Sequence, residues 1–236
     1  MTRYAVYALP GALGASDAAE AVRLRDVAEA WLAREEFRDL TVDARRYGLH
    51  GTLRAPFRLA PGRTPDELEA AARAFAARRA AVVIRSPRPR RVADFRALVP
   101  DGDHGDIDAL AADIMRDFDR FRAAPNVQEV RRRRPETLPP RQRELYARWG
   151  YPFVFDEFRF HITLTDPVPA ERETAVDAAL DAHFDGVAGV DVPLRSIALF
   201  VEPRPGARFE VHSVHPFGDA PAAGGGRSAT GREQPG

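Results

Sequence analysis

One tetrapeptide pattern occurs twice in this sequence, once in each half, and it constrains the fold more than any other feature. His50-Gly51-Thr52-Leu53 and His161-Ile162-Thr163-Leu164 both read His-x-Thr-Leu, and both lie in segments of strand-like composition. Residues two apart in a strand point to the same face of a sheet. Each motif therefore predicts a strand with its histidine and threonine on one face and its leucine in the core.

The segments around the two motifs predict an α+β fold. Residues 3–8, 47–53, 80–85, 91–99, 158–165, 192–201 and 207–214 have strand-like composition, and 16–40, 64–79, 107–123, 141–149 and 169–184 have helical periodicity. The second part loosely repeats the first. We therefore expect two pseudo-symmetric lobes, about 1–100 and 150–218, each an antiparallel sheet with flanking helices, around a central cleft. A helical middle joins them into one domain over 1–218, and 219–236, rich in Gly, Ala, Pro, Ser and Arg, is predicted to be a disordered tail.

Local signals place three of the helices. Ser16 is a plausible N-cap, with Glu20 just beyond the capping-box position. Thr64-Pro65-Asp66-Glu67 has an N-cap threonine, a proline at the first helical position and a glutamate at the third. The third helix carries a single apolar stripe, formed by Ile107, Leu110, Ile114, Phe118 and Phe121.

Composition excludes several classes of protein. The 236 residues include 35 basic and 35 acidic side chains, so broad nucleic-acid binding is not expected. No apolar run is long enough to span a membrane, and no secretory signal is visible, so we expect a cytoplasmic protein with no membrane partner. Cysteine is absent, which excludes thiol nucleophiles and cysteine–zinc sites. Every basic residue is arginine, so neither a Schiff-base lysine nor a P-loop lysine is available.

The duplicated motif suggests chemistry on a phosphate ester. If the two halves pack around a pseudo-twofold axis, His50, Thr52, His161 and Thr163 converge on one cleft. Strand parity places Arg54 and Arg159 on the same faces as these residues. Threonine hydroxyls and arginine N–H groups bind phosphate oxygens, while one neutral and one protonated histidine can act as base and acid near pH 7.

Two other interpretations remain open at this stage. A histidine in a strand is often a hydrogen-bonded structural residue, although two copies of the motif argue against that. A metal site would also use histidine, but only Asp156 and Glu157 lie near either motif at a usual ligand spacing. The prediction is that neither a metal nor a cofactor takes part.

At this point the sequence resembles the 2H phosphoesterases, which carry two His-x-Thr/Ser motifs in two pseudo-symmetric α+β lobes. The resemblance spans about residues 3–217 and is stronger to the branch encoded with phosphonate-degradation genes. The residues that carry the stronger resemblance are 3–7 (RYAVY), 47–59 (YGLHGTLRAPFRL), 91–95 (RVADF), 98–100 (LVP), 149–152 (WGYP) and 157–165 (EFRFHITLT). The sequence departs from that branch at Arg54, where lysine is usual, and at Asp166, where glycine is usual after the second motif.

The resemblance implies His50 and His161 as the acid–base pair and Thr52 and Thr163 as phosphate-binding groups. It implies a metal-independent phosphodiesterase acting on a small cyclic phosphate or similar ester. For this branch it implies a substrate that is made in carbon–phosphorus bond cleavage, such as a ribosyl cyclic phosphate. The alternative is a binding or processing protein of the same fold that holds a nucleotide or an RNA end.

The remaining candidates are less constrained. Tyr4 and Tyr7 could stack on a sugar or base, but they have opposite strand parity, so only one can face the cleft. Ideal parity turns Tyr47 away from His50. Arg58 lies beyond Pro56, where strand parity no longer holds, and is a further candidate for substrate binding. Residues 131–134, four arginines beside a proline-rich link, could bind phosphate or an acidic partner, although such runs are usually solvated.

Overall fold

The computed structural model describes residues 1–218, so the tail predicted at 219–236 lies outside the described residues. The strands are β1 (Arg3–Ala8), β2 (Gly51–Phe57), β3 (Val82–Ile84), β4 (Arg88–Val92), β5 (Phe95–Val99), β6 (Ile162–Thr163), β7 (Val192–Leu194), β8 (Ser196–Glu202) and β9 (Glu210–Pro216). The helices are α1 (Ala19–Ala33), α2 (Val42–Tyr47), α3 (Pro65–Ala76), α4 (Gly105–Phe118), α5 (Val127–Arg133), α6 (Pro140–Trp149) and α7 (Glu173–Phe184). Among residues 1–218, no helix combines the length and the apolar character needed to cross a bilayer.

Seven strands form one antiparallel sheet in the order β4-β5-β6-β2-β1-β8-β9, and β3 pairs with β7 in a separate two-stranded sheet. The predicted α+β class, with antiparallel sheets and flanking helices, is confirmed. The strands of the two sequence halves alternate in the large sheet, because β6 lies between β5 and β2, and β8 and β9 extend the edge beyond β1. The two halves therefore share a sheet whose centre is the β2–β6 pair.

The two faces of the large sheet are packed differently. Along β1, Tyr4, Val6 and Ala8 belong to the main hydrophobic core with the helices, whereas Ala5 and Tyr7 belong to a smaller cluster. Successive side chains of a strand point to opposite faces, so the two clusters lie on opposite sides of the sheet. The smaller cluster lies on the face where Tyr7 contacts His50.

Local sequence signals predicted two helices well. Thr64 and Glu67 form the expected capping box at the start of α3, with Pro65 at its first position. The stripe of α4 is buried as predicted from Ile107 to Phe118. Phe121 is also buried, but it lies in a short 3-10 turn that follows the helix, because the α-helix ends at Phe118.

The helix predicted over 16–40 is divided in the structure. Ser16 lies in an exposed 3-10 turn and does not cap α1, which begins at Ala19 without a side-chain cap. After Ala33 the chain forms a second 3-10 segment and then α2, which ends at Tyr47. Gly48, with φ of 69°, ends α2 and leads the chain into β2.

Candidate active site

The two His-x-Thr motifs meet at the centre of the large sheet. Gly51 is opposite Ile162 in the β2–β6 pair, and these are the middle residues of the two motifs. Because the strands are antiparallel, the residue before Gly51 lies across from the residue after Ile162, and the converse also holds. The pairing therefore brings each histidine close to the threonine of the other motif, in a local twofold arrangement.

Two tyrosines surround His50. Its ring lies 4.2 Å from that of Tyr7 and 5.5 Å from that of Tyr47, measured between ring centroids, and the residue is only 9% exposed. The Nδ1 atom lies 2.9 Å from the carbonyl oxygen of Gly48. A carbonyl can only accept a hydrogen bond, so Nδ1 carries the proton and Nε2 of the neutral ring keeps a free lone pair.

His161 repeats this arrangement on β6. Its Nδ1 atom lies 2.9 Å from the carbonyl oxygen of Arg159, which is also two residues before the histidine. Its aromatic neighbour is Phe95 on β5, at 5.6 Å between ring centroids. The half-buried ring of His161 therefore also has Nε2 free for proton transfer.

Burial perturbs the electrostatics of the His50 imidazole. The pKa of His50 is lowered from 6.5 to about 4, mainly by desolvation and in smaller part by the nearby charge of His161, while the hydrogen bond to Gly48 opposes the shift. His50 is therefore neutral at neutral pH and is suited to accept a proton at Nε2.

Gly51 is required by the close packing of the second motif. A Cβ atom at position 51 would lie 2.5 Å from Cε2 of Phe160, and closer still to Cζ. Phe160 is buried in the main core and covers the β2 backbone at this point. The glycine of the first motif therefore allows the segment leading to His161 to lie directly against β2.

Arg54 does not lie where strand parity predicted. Opposite residues of an antiparallel ladder point to the same face; Thr52 is opposite Tyr7 but Arg54 is opposite Val6, with a register shift between the two pairs. This bulge reverses the alternation, so Arg54 points with Val6 towards the helices. Its guanidinium, 2% exposed, donates to the Met115 carbonyl at 3.0 Å and lies 3.4 Å from Asp119.

Two other predicted arginines are also committed to protein contacts. Arg58 forms a two-pronged ion pair with Glu129, at 3.1 and 3.0 Å, and donates to the Ala124 carbonyl at 2.7 Å. Arg159 is exposed, precedes β6 and donates to the carbonyls of Asp156 and Phe158. Arg58 therefore anchors α5. Arg159 is two residues before His161, and no carboxylate of residues 1–218 is bonded to its guanidinium.

Of the two candidate tyrosines on β1, Tyr7 faces the histidines and Tyr4 does not. Tyr7 is buried against His50 and Phe200, and burial raises its pKa well above the usual value. Tyr4 belongs to the main core on the other face and contacts His212 edge to face. This placement excludes Tyr4 from direct contact with a ligand beside His50.

Sequence reasoning missed three aromatic residues of this region: Tyr47, Phe95 and Tyr151. Tyr47 was predicted to point away, but it ends a helix, so strand parity does not apply to it. It stacks on Phe209 at 4.9 Å between centroids, and its neighbour Arg46 is paired with the buried Glu202. Phe95 and Tyr151 were visible only as parts of the segments RVADF and WGYP, which carry the family resemblance.

Asp166, which follows the second motif, has a structural role. Its carboxylate accepts hydrogen bonds from the backbone N–H groups of Asp43 and Ala44, at 3.0 to 3.1 Å. These groups lie in the first turn of α2, where a negative charge is stabilising. Asp166 therefore ties the end of the second motif to the helix that carries Tyr47.

A metal site is not apparent in the part of the chain that the structure describes. Over residues 1–218, no three histidine, aspartate or glutamate side chains are arranged to hold an ion. Asp156 and Glu157, the acidic residues at a usual ligand spacing from the second motif, instead bind Arg141 and Gln142.

Comparison with known proteins finds similar curated sequences and similar solved structures. The chain is 40% identical over 182 residues to "Ribose 1,5-bisphosphate phosphokinase PhnN" of Janthinobacterium sp. (strain Marseille), covering 75% of this chain and 40% of that protein. It is 33% identical over 224 residues to a protein of the same name from Laribacter hongkongensis, covering 89% and 50%. The chain thus spans half the length of these relatives or less. One solved structure is that of TT0787 from Thermus thermophilus, which is similar over 92% of this chain and 99% of that one, with 16% identity and a TM-score of 0.49.

Residues 52–210 match the family described as "Protein of unknown function (DUF1045)". This match begins within the first motif, includes the whole of the second, and covers well over half of the chain. The chain therefore belongs to the DUF1045 family.

Proposed function

We propose that this chain is a 2H-type phosphodiesterase that opens a small cyclic phosphate ester without a metal ion. The observation that carries the proposal is the twofold pairing of the two motifs. In this pairing His50 and His161 share one face of the sheet, each opposite the other motif's threonine, and each has Nδ1–H bound to a backbone carbonyl and Nε2 available. Two proton-transfer groups at one site suit hydrolysis of a phosphodiester, because one can take a proton from water and the other can give one to the leaving oxygen.

The proposed reaction uses the two histidines in different roles. Nε2 of His50 takes a proton from water, whose oxygen forms a new bond to phosphorus. The phosphorus–oxygen bond to the ring oxygen breaks on the opposite side, and protonated His161 gives its Nε2 proton to that oxygen. The products are a phosphate monoester and a free hydroxyl group.

His50 is assigned as the base because burial keeps its imidazole neutral, with a pKa of about 4. A neutral ring held by its Nδ1–H bond presents a lone pair to water. The half-buried Thr52 and Thr163 are proposed to donate their hydroxyl protons to the non-bridging phosphate oxygens. Arg159, exposed beside His161, is the remaining arginine candidate for charge stabilisation.

The substrate class is proposed from the names of the relatives together with the composition of this chain. Both relatives are named for ribose 1,5-bisphosphate. This chain has no lysine, so it cannot supply a P-loop lysine for a kinase reaction. We propose that this chain instead hydrolyses a ribosyl cyclic phosphate of phosphonate metabolism.

The test is turnover of a panel of cyclic phosphates, including ribose 1,2-cyclic phosphate and nucleoside 2′,3′-cyclic phosphates, with and without chelator. We expect His50→Ala and His161→Ala each to lower kcat by roughly a hundredfold or more, the scale of a lost proton-transfer group. His104→Ala, at an exposed histidine paired with Asp108, is the matched control and should keep wild-type turnover. Activity that chelator abolishes, or near-normal turnover in either variant, would contradict the mechanism, whereas binding without turnover would favour a nucleotide- or RNA-end-binding protein.

A further inference from the structure

Glu202, the last residue of β8, has a fully buried carboxylate that the proposed reaction does not use. Its two oxygens have different partners: Arg3 Nε donates to Oε2, whereas Arg46 Nη2 and the Gly206 backbone N–H, the latter at 2.9 Å, donate to Oε1. Burial alone would raise the pKa of Glu202, but these donors, Arg3 foremost, hold it below its usual value. The charged carboxylate therefore joins three segments: the start of β1, the end of α2 and the loop between β8 and β9.

Each of the two arginines also lies over an aromatic ring. The guanidinium carbon of Arg3 is 5.7 Å from the centroid of Phe209, and that of Arg46 is 5.4 Å from the centroid of Tyr47. Two further hydrogen bonds join the same segments: Arg46 Nε donates to the Ala207 carbonyl at 3.1 Å, and the Phe209 N–H donates to the Arg46 carbonyl at 3.0 Å. Ion pairs, hydrogen bonds and cation–π contacts together thus fix the end of α2 against the loop after β8.

The two rings that these arginines cover belong to the packing around His50. Tyr47 stacks on Phe209 with 4.9 Å between ring centroids, and its ring is 5.5 Å from that of His50. Phe209 also contacts Tyr7, at 6.2 Å between centroids, and Tyr7 lies 4.2 Å from His50. The titratable side chains that face the imidazole are therefore Tyr7 from β1, Tyr47 from α2 and, through its charge, His161 from the second motif.

We propose that Glu202 is a positioning residue for His50, because it holds in place the aromatic rings that pack around the imidazole. The fully buried carboxylate cannot contact a substrate, so it acts through Arg46 and the segment 206–209. When this link is broken, the end of α2 and that segment separate, and water gains access to the imidazole, which is then protonated more easily. This inference rests on the proposed function, in which the neutral imidazole is the base.

The test is the dependence of kcat/KM on pH for two variants, Glu202→Gln and Arg46→Ala. Both break the link, but they change the local charge in opposite directions. A purely electrostatic effect would therefore move the acid limb, which reports protonation of His50 in the free protein, downward for Glu202→Gln and upward for Arg46→Ala. We expect both variants to move it upward, from about pH 4 towards 6.5. A shift of about one to two pH units would lower kcat/KM about two- to tenfold more at about pH 5 than at about pH 8.

Arg46→Lys separates the charge from the geometry within one position. Lysine keeps the positive charge but lacks the fork that binds Glu202 and the Ala207 carbonyl together. The lysine variant should therefore retain part of the upward shift, whereas a charge effect would give it the wild-type acid limb. This comparison decides the question even if Glu202→Gln does not fold.

Asp119→Asn is the matched control. Asp119 is also a largely buried carboxylate between two arginines, at 3.4 Å from Arg54 and 2.9 Å from Arg122, but it lies with the helices on the opposite face of the sheet. This variant should keep the wild-type acid limb, because it does not alter the packing around His50.

A titration of the His50 imidazole by NMR, with its signal assigned through His50→Asn, measures the same pKa without turnover. Shifts in opposite directions for Glu202→Gln and Arg46→Ala, or wild-type acid limbs in the folded variants, would overturn the positioning role and leave the phosphodiesterase proposal intact. If the wild-type protein hydrolyses no cyclic phosphate, the proposed function is wrong, and the NMR titrations of the variants still decide whether Glu202 keeps His50 desolvated.

Discussion

Replacing His50 by asparagine should make the folded protein less sensitive to mild acid. The pKa of His50 is 6.5 in an exposed chain and about 4 in the folded protein, because the folded ring is buried. Between these two pKa values, the His50 side chain is protonated in the unfolded chain and neutral in the folded protein. The free energy of unfolding therefore falls as the pH drops from 6.5 towards 4 and is fully retained above 6.5.

The size of the effect follows from these two values. Stability changes by about 1.4 kcal/mol per pH unit while only the unfolded state is protonated. Between about pH 7.5 and about pH 5, His50 should therefore remove about 2 kcal/mol of stability from the wild-type protein. Asparagine can still donate a hydrogen bond to the Gly48 carbonyl but cannot titrate, so His50→Asn should lack this contribution.

The assay is urea unfolding of both proteins at the two pH values. Carboxylates titrate in both proteins, so the difference between their losses of stability is the contribution of His50. Thr52→Val, a neighbouring change with no titratable group, is the control and should keep the wild-type dependence on pH. If wild type and His50→Asn lose the same stability on acidification, His50 is not a buried neutral imidazole, and its assignment as the base loses its physical support.

Two further predictions concern the packing around the first motif. Gly51→Ala should lower the free energy of unfolding by about 1–3 kcal/mol in urea titrations, because the new methyl group overlaps the Phe160 ring; unchanged stability would mean that Phe160 moves aside without cost. Arg54→Met should destabilise the protein by about 1–3 kcal/mol, because the Met115 carbonyl and Asp119 lose a buried donor, yet leave KM for a cyclic phosphate within about twofold. A raised KM without loss of stability would contradict this placement and indicate that Arg54 binds the phosphate.

Several features of this fold follow from short stretches of sequence. The capping box at Thr64 and Glu67 and the apolar stripe of α4 depend only on residues three or four apart, and the structure has both. The α+β class likewise follows from the alternation of such local patterns. The order of strands in the large sheet does not follow from local patterns. Strand β6 lies between β5 and β2, and this pairing forms only when segments distant in the sequence come together.

The candidate site illustrates the same limit. The two His-x-Thr motifs are visible in the sequence, and their shared chemistry made them candidates before any pairing was known. Strand parity could not place Arg54, because the register shift opposite Val6 and Tyr7 is a property of the β1–β2 pair and not of either strand alone. Parity also failed for Tyr47, since the segment before His50 forms a helix whose first turn is capped by Asp166 from a distant part of the chain.

The sequence by itself thus determined which residues have proton-transfer and phosphate-binding chemistry, because that is a property of each side chain. Only the tertiary structure decided which of these side chains are available to a ligand and which are bound to other parts of the protein. Arg54 and Arg58 are bound to protein carbonyls and carboxylates, whereas the Arg159 guanidinium is bonded to no carboxylate of residues 1–218. It also decided that His50 is the buried imidazole, since the pKa of a side chain depends on the solvent that its neighbours exclude.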